Sequence, residues 1–204
     1  EEVSDSTCNA YVDATIDLIR RTPSIHSVLM VARWSAFVEG WRFGLGKPVL
    51  IPLTSGSKPP DNLNIMTQGF IRTLKALAPK RVTVLAFLPE QSINVPQASS
   101  MALRFGWPLH GVSVESFMDR QRKTRAMFEA LKRSSALTVI DAGVVLCNTS
   151  ECSVVNSSGP VYRDDNHLTS TASIEYRRGL FAPFFDVISS SRSRAFSKIP
   201  IENH

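Results

Sequence analysis

Towards its C-terminal end the chain reads Val161-Tyr162-Arg163-Asp164-Asp165-Asn166-His167-Leu168, and these residue types can do chemistry together. An Asp three residues before a His, in a loop opening a helix, can fold its carboxylate back onto the imidazole. The carboxylate fixes the ring tautomer and stabilises the imidazolium, leaving the other ring nitrogen to act as a base toward a hydroxyl. The three-residue spacing selects Asp164 for this role. Asp165 is expected to face solvent or the N-terminus of the following helix. The spacing alone is weak evidence, because a helix-capping Asp beside a surface His has the same pattern. His26, His110 and His204 have no Asp so placed.

The cysteines say something about the compartment. Cys147 and Cys152 are separated by four polar residues, Asn148 to Glu151, which is not the two-residue spacing of a zinc or redox pair. A small-loop disulfide in an oxidising compartment fits better than two reduced cytosolic thiols. Cys8 is then either a free thiol or paired with a residue outside this sequence. No metal and no cofactor is expected.

Around these residues the pattern alternates helix and strand. Tyr11 to Arg21 has Val12, Ile16 and Ile19 at helical spacing and stops before Pro23. Ser27 to Ala32, Arg81 to Leu88 and Leu137 to Ile140 are apolar runs without polar alternation, as in strands buried on both faces. The first leads into Arg33-Trp34-Ser35 and a short helix over Ala36 to Trp41. Gly44 to Pro60 is rich in Gly, Pro and Ser and reads as an excursion with a short strand at Val49 to Leu53. Asp61 caps a helix running to Leu77, with Ile65, Phe70, Leu74 and Leu77 inward. Helices follow at Val95 to Phe105 and Ser116 to Leu131, the latter with Phe117, Met127, Phe128 and Leu131 on its core side. A last helix spans Ser170 to Ile188.

This order implies an α/β fold of three layers, α/β/α, around a parallel sheet. Residues 1–188 form one domain and 189–204 a polar, loosely ordered tail. In such sheets the site lies beyond the carboxyl ends of the strands. Arg33-Trp34-Ser35, Pro89-Glu90-Gln91 and the loop ending at His167 meet that condition.

A length of 204 residues suffices for one such domain, and 43% hydrophobic with 20% charged residues is ordinary for a globular protein. No apolar run approaches the roughly 20 residues of a membrane span. The formal charge of +5 is spread over scattered basic residues without interleaved aromatics, so nucleic acid is not an expected partner. A mildly basic surface suits an anionic cell-envelope polymer.

The stretch Val161 to Ser173 resembles the fifth sequence block of SGNH (GDSL-like) hydrolases, in the form found behind membrane acyltransferase-3 proteins. There a Tyr, a D-x-x-H pair and a following Leu and Ser/Thr precede the last helix. The strand entering Ala32-Arg33-Trp34-Ser35 is similar to the third block of that subfamily. Val82 to Pro89-Glu90 looks like its next strand and turn. Ile140-Asp141, with Cys147 and Cys152 after it, looks like its approach to the active-site loop. The resemblance covers residues 8 to 188.

It implies an SGNH-hydrolase or flavodoxin-like fold lacking its first strand, with Asp164 and His167 as two members of a Ser-His-Asp triad. The serine's strand and G-D-S turn are absent. Ser6 follows an Asp but has neither a strand nor a Gly before it. The Asn of the usual third block is replaced by Arg33-Trp34. Arg33 is then an oxyanion or substrate-binding candidate or a structural ion-pair residue, and Trp34 a core or pocket-wall residue or a sugar platform.

The function implied is acetyl transfer to, or ester hydrolysis on, a cell-envelope glycan at the periplasmic or extracellular face. The partners would be a glycan or acyl ester and a membrane acyltransferase domain in the parent protein. Two other readings are a non-catalytic glycan-binding module of the same fold and a cytosolic flavodoxin-like regulatory domain. The last is disfavoured because no phosphate-binding Gly loop follows any strand.

Overall fold

The structure is a computed structural model that describes residues 5–41, 61–170, 172, 176 and 178–185. Three strands form a sheet in the order β1 (Ser27–Val31), β2 (Arg81–Ala86), β3 (Leu137–Asp141). β1 and β2 run parallel, in register from Ser27 opposite Arg81 to Val31 opposite Leu85. The central place goes to β2, whose residues from Val82 to Ala86 are all buried. A strand this apolar, with Thr83 the one polar residue in the buried run, needs cover on both faces, and only the middle position supplies it fully. The result is the mixed α/β architecture with a parallel sheet that the alternating pattern implies.

The helices follow the sequence with informative differences. α1 (Asp5–Arg21) starts six residues ahead of Tyr11, in a polar stretch where apolar periodicity has nothing to register. α2 (Trp34–Val38) starts at Trp34 rather than Ala36. α3 (Asn62–Leu77) is capped as expected, Asp61 Oδ1 accepting the Asn64 amide at 3.3 Å. α4 (Val95–Phe105) has the expected bounds, with the Asn94 side chain accepting the Gln97 amide at 3.1 Å and Gly106 closing it in a left-handed conformation.

The single helix expected from Ser116 to Leu131 is two. α5 (Val114–Arg120) and α6 (Arg122–Ser134) break at Gln121, whose φ of −99° and ψ of 4° leave the helical region. Periodicity cannot detect this break, because Phe117, Met127, Phe128 and Leu131 are all buried on both sides of it. α7 (Gly143–Leu146) and the two-residue strands β4 (Val155–Asn156) and β5 (Gly159–Pro160) are too short to leave a periodic signature. Of the last expected helix, residues 176 and 178–185 are helical and Ala172 is a bend; its end at Ile188 lies outside the described residues. So do the expected strand at Val49 to Leu53 and the tail 189–204.

Two compact units emerge, Glu1–Ala86 with Arg120–Val139, and Phe87–Asp119 with Ile140–His204. The first is organised around three aromatic rings from three elements. Trp34 meets Phe70 edge-on at 5.0 Å and Phe128 at 6.0 Å, and Phe70 meets Phe128 at 5.1 Å. Glu39 Oε1 accepts from the Thr124 amide at 3.0 Å and its hydroxyl at 3.1 Å, satisfying an otherwise orphaned donor in the first turns of α6. The second unit buries Val112, Phe117, Leu146, Cys152, Val154, Val161, Tyr162 and Leu180.

Candidate active site

The second unit contains the Asp-His loop, and a short hairpin builds it. Tyr162 and Leu168 form an antiparallel bridge, the Arg163 amide donates to the His167 carbonyl at 2.8 Å, and the Thr169 amide donates to the Val161 carbonyl at 2.9 Å. Residues 163–167 therefore form the hairpin's tip. Asp164 organises that tip from inside: its Oδ1 accepts the Asn166 amide at 2.8 Å and the His167 amide at 2.7 Å. Such an Asx turn is what a short carboxylate side chain does where no ladder partner is available.

The other carboxylate oxygen meets the imidazole. Asp164 Oδ2 lies 2.6 Å from His167 Nδ1, the short distance of a charge-assisted hydrogen bond. The ring proton on Nδ1 is donated to the carboxylate, so Nε2 is left as the acceptor. The His167 side chain is 58% exposed and Asp164 34%. Partial burial pushes the Asp164 carboxyl up, but the amides of Asn166 and His167 and the imidazole together hold it below its ordinary 3.8. Asp165 does not take part in this pairing; its Oδ1 accepts from Asn166 Nδ2 at 2.6 Å.

The loop is anchored from behind by the segment that follows β2 in the chain. The Gln91 amide donates to the Asp165 carbonyl at 2.7 Å and the Val95 amide to the Asp164 carbonyl at 3.4 Å. The Gln91 side chain is buried, with Oε1 accepting the Val112 amide at 2.8 Å. Gln91 also faces the fully buried Tyr162 hydroxyl, and burial pushes that phenol up, so it stays protonated and neutral. The chain enters this segment through Phe87, a buried non-glycine residue held at a φ of 55°, a conformation that persists only where its surroundings impose it. The sequence marks Pro89-Glu90-Gln91 by its position after a strand but attaches no role to Gln91.

Cys147 and Cys152 are joined by a disulfide. Asn148 Oδ1 fills the turn between them, accepting the amides of Ser150 at 2.7 Å and Glu151 at 2.9 Å. The stapled turn is tied to the Asp-His loop through a run of bonds. The Cys152 amide donates to the Val112 carbonyl at 2.9 Å, Val112 donates to Gln91 Oε1, and Gln91 donates to Asp165. Gly111 permits this approach, since a Cβ there would collide with the Cys152 carbonyl. Cys8 is an exposed free thiol.

Arg33 and Trp34 belong to the first unit. Arg33 is half-buried at the N-cap position of α2. Trp34 donates its indole Nε1 to the Leu85 carbonyl at 2.9 Å, in addition to its contacts with Phe70 and Phe128. Both the ring and its polar tip are thus engaged within that unit. Ser6 lies in the first turn of α1. Among the described residues no cluster of His, Cys, Asp and Glu could hold a metal ion, and no helix is long and apolar enough to cross a membrane.

The loop thus presents an imidazole oriented by a carboxylate, in an α/β fold with a parallel sheet. Residues 1–180 match the model of the SGNH domain fused to AT3 domains, and the chain belongs to this family. No curated protein matches its sequence. Among solved structures it is similar to the lipopolysaccharide acetyltransferase periplasmic domain of Salmonella ser. Paratyphi A, with a TM-score of 0.54 and 18% identity. That likeness covers 85% of this chain and 61% of the other, and at this identity it speaks to the fold.

Proposed function

We propose that this domain transfers an acyl group, acetyl in the first instance, to a hydroxyl of a cell-envelope glycan outside the cytoplasm, or removes one. The mechanism is Ser-His-Asp, with the serine supplied from outside this chain. The observation that carries this reading is the Asp164–His167 bond of 2.6 Å. Family membership supports the acyl chemistry and a membrane acyltransferase as the fused partner domain. Likeness to the Salmonella protein, the periplasmic domain of a lipopolysaccharide acetyltransferase, supports the glycan and the compartment.

In the first half-reaction His167 Nε2 takes the serine proton as Oγ attacks the acyl carbonyl carbon. The imidazolium, held by Asp164, then gives that proton to the departing oxygen. In the second half-reaction His167 deprotonates the acceptor, a sugar hydroxyl for transfer or water for hydrolysis. The acceptor oxygen takes the acyl group, and the serine leaves with the proton. Only the acceptor separates the two outcomes.

The test is labelling by a serine-reactive fluorophosphonate of protein that includes the upstream strand. One serine should react; Asp164→Asn should slow labelling on the order of a thousandfold, and Asp165→Asn should leave it within a few-fold. Equal effects of the two substitutions would contradict the assignment. A protein that never labels, yet binds glycan, would be the non-catalytic module of the same fold.

A further inference from the structure

The second unit carries an aromatic feature that the Asp164–His167 chemistry does not use. Phe105 and Trp107 are 52% and 56% exposed, and their rings stack 5.0 Å apart with planes inclined by only 27°. The backbone builds this pair. Gly106, at a φ of 67°, ends α4, and the Trp107 amide turns back to the Ala102 carbonyl at 3.2 Å, bringing residue 107 alongside residue 105. The Arg104 guanidinium carbon lies 5.3 Å from the Phe105 ring centre. Single exposed apolar residues are commonplace; two large rings stacked in water by a fixed turn form a patch.

Two further observations indicate what such a patch suits. Gln97, Ser100 and Arg104 are all exposed and stand at i, i+3 and i+7 of α4, so an amide, a guanidinium and a hydroxyl oxygen, whose proton goes to the Pro96 carbonyl at 3.0 Å, line one face leading to the rings. The helix itself starts at the Asp-His loop, where the amide of the buried Val95 donates to the Asp164 carbonyl. Eleven helical residues span about 16 Å, a length that several linked sugars cover. No carboxylate occurs from Gln91 to Val114, so nothing on this segment repels an anionic polymer. A sugar ring presents a C–H face that stacks on an aromatic and hydroxyls that need donors and acceptors. Met101 and Leu103 are exposed on the same helix, but a lipid surface would call for an apolar face flanked by several cations, and Arg104 is the one charged residue from Gln97 to Trp107.

We infer that the exposed face of α4, from Gln97 to Trp107, is a glycan subsite, with Trp107 stacking on a sugar several units from the reacting ester. This rests on the proposed acyl transfer to a glycan, but its test is a binding measurement that needs no turnover. The 204-residue chain is titrated by calorimetry with a panel of lipid-free bacterial surface polysaccharides: O-antigen, capsular and peptidoglycan strands. At least one should bind saturably. Trp107→Ala and Phe105→Ala should each weaken that binding about tenfold, and Gln97→Ala by less, with unchanged circular dichroism. Tyr11→Ala, which removes an exposed aromatic of α1, should bind as the parent does, which separates this subsite from a general effect of exposed rings. Undiminished affinity in both ring variants, or no binding by any polysaccharide, would overturn the inference. So would capture by phosphatidylglycerol vesicles, abolished by the same ring substitutions, which would make the face a membrane contact. Ring-dependent binding in a protein without acyl-transfer activity would leave the subsite standing and remove only the catalytic reading.

Discussion

Asp164 holds His167 at two points: one carboxylate oxygen accepts the ring Nδ1 proton at 2.6 Å and the other the backbone amide at 2.7 Å. The tautomer and the position of the imidazole are therefore set by the same side chain. Both bonds require the carboxylate form, and this gives the arrangement a pH dependence. Asp164 titrates below its ordinary 3.8 in the fold, so its contribution to stability is present above the unfolded value and is lost as pH falls through the folded value. Urea unfolding should show the parent protein more stable than Asp164→Asn near neutral pH, with the gap closing below about pH 4. A gap that widens on acidification would contradict the assigned ionisation.

The disulfide makes a prediction that mass alone can check. Without reductant, alkylation should add one label per chain, at the exposed Cys8; after reduction under denaturing conditions it should add three. Replacing Cys147 and Cys152 by Ser should cost about 2 kcal/mol on the chain-entropy model for so short a loop. It should also loosen the Val112–Gln91–Asp165 run of bonds that begins at Cys152. Labelling of all three thiols in unreduced protein would show that the staple is not formed.

Trp34 offers a choice between packing and recognition. Its ring meets Phe70 and Phe128 edge-on and its indole N–H is bonded to Leu85, so Trp34→Ala should destabilise the fold by roughly 3 kcal/mol. Trp34→Phe, which keeps a ring but loses the hydrogen bond, should cost about 1 kcal/mol. Denaturant midpoints decide between the alternatives. Full stability of Trp34→Ala together with lost glycan binding would make it a sugar platform instead.

How much is legible in the sequence depends on the scale of the signal. Long apolar runs such as Arg81 to Leu88 announce central strands, and α4 can be bounded from Asn94, Pro96 and Gly106 because caps and breakers are local. The Asp164–His167 pair is legible for the same reason: both partners lie within one turn of chain. The break at Gln121 is not, because the apolar residues on both sides of it are buried alike. Nor is the part played by Gln91, which depends on amides and carbonyls contributed by Val112 and Asp165. Such long-range backbone pairings leave no periodic or compositional trace. The Phe105–Trp107 stack stands in plain view as two aromatics flanking a glycine, but exposure is a property of the fold.

The most direct test of the account is acetyl-ester hydrolysis by three proteins: this 204-residue chain, a longer chain that includes the upstream strand and its serine turn, and the longer chain with His167→Ala. The short chain should be inert, because His167 can activate only a hydroxyl within about 3 Å. The longer chain should turn over, and His167→Ala should reduce its rate to that residual level. Robust hydrolysis by the short chain, blocked by a serine-reactive inhibitor, would contradict the account and make Ser6 the first residue to replace. An active longer chain indifferent to His167→Ala would contradict it as well, since the base would then lie elsewhere.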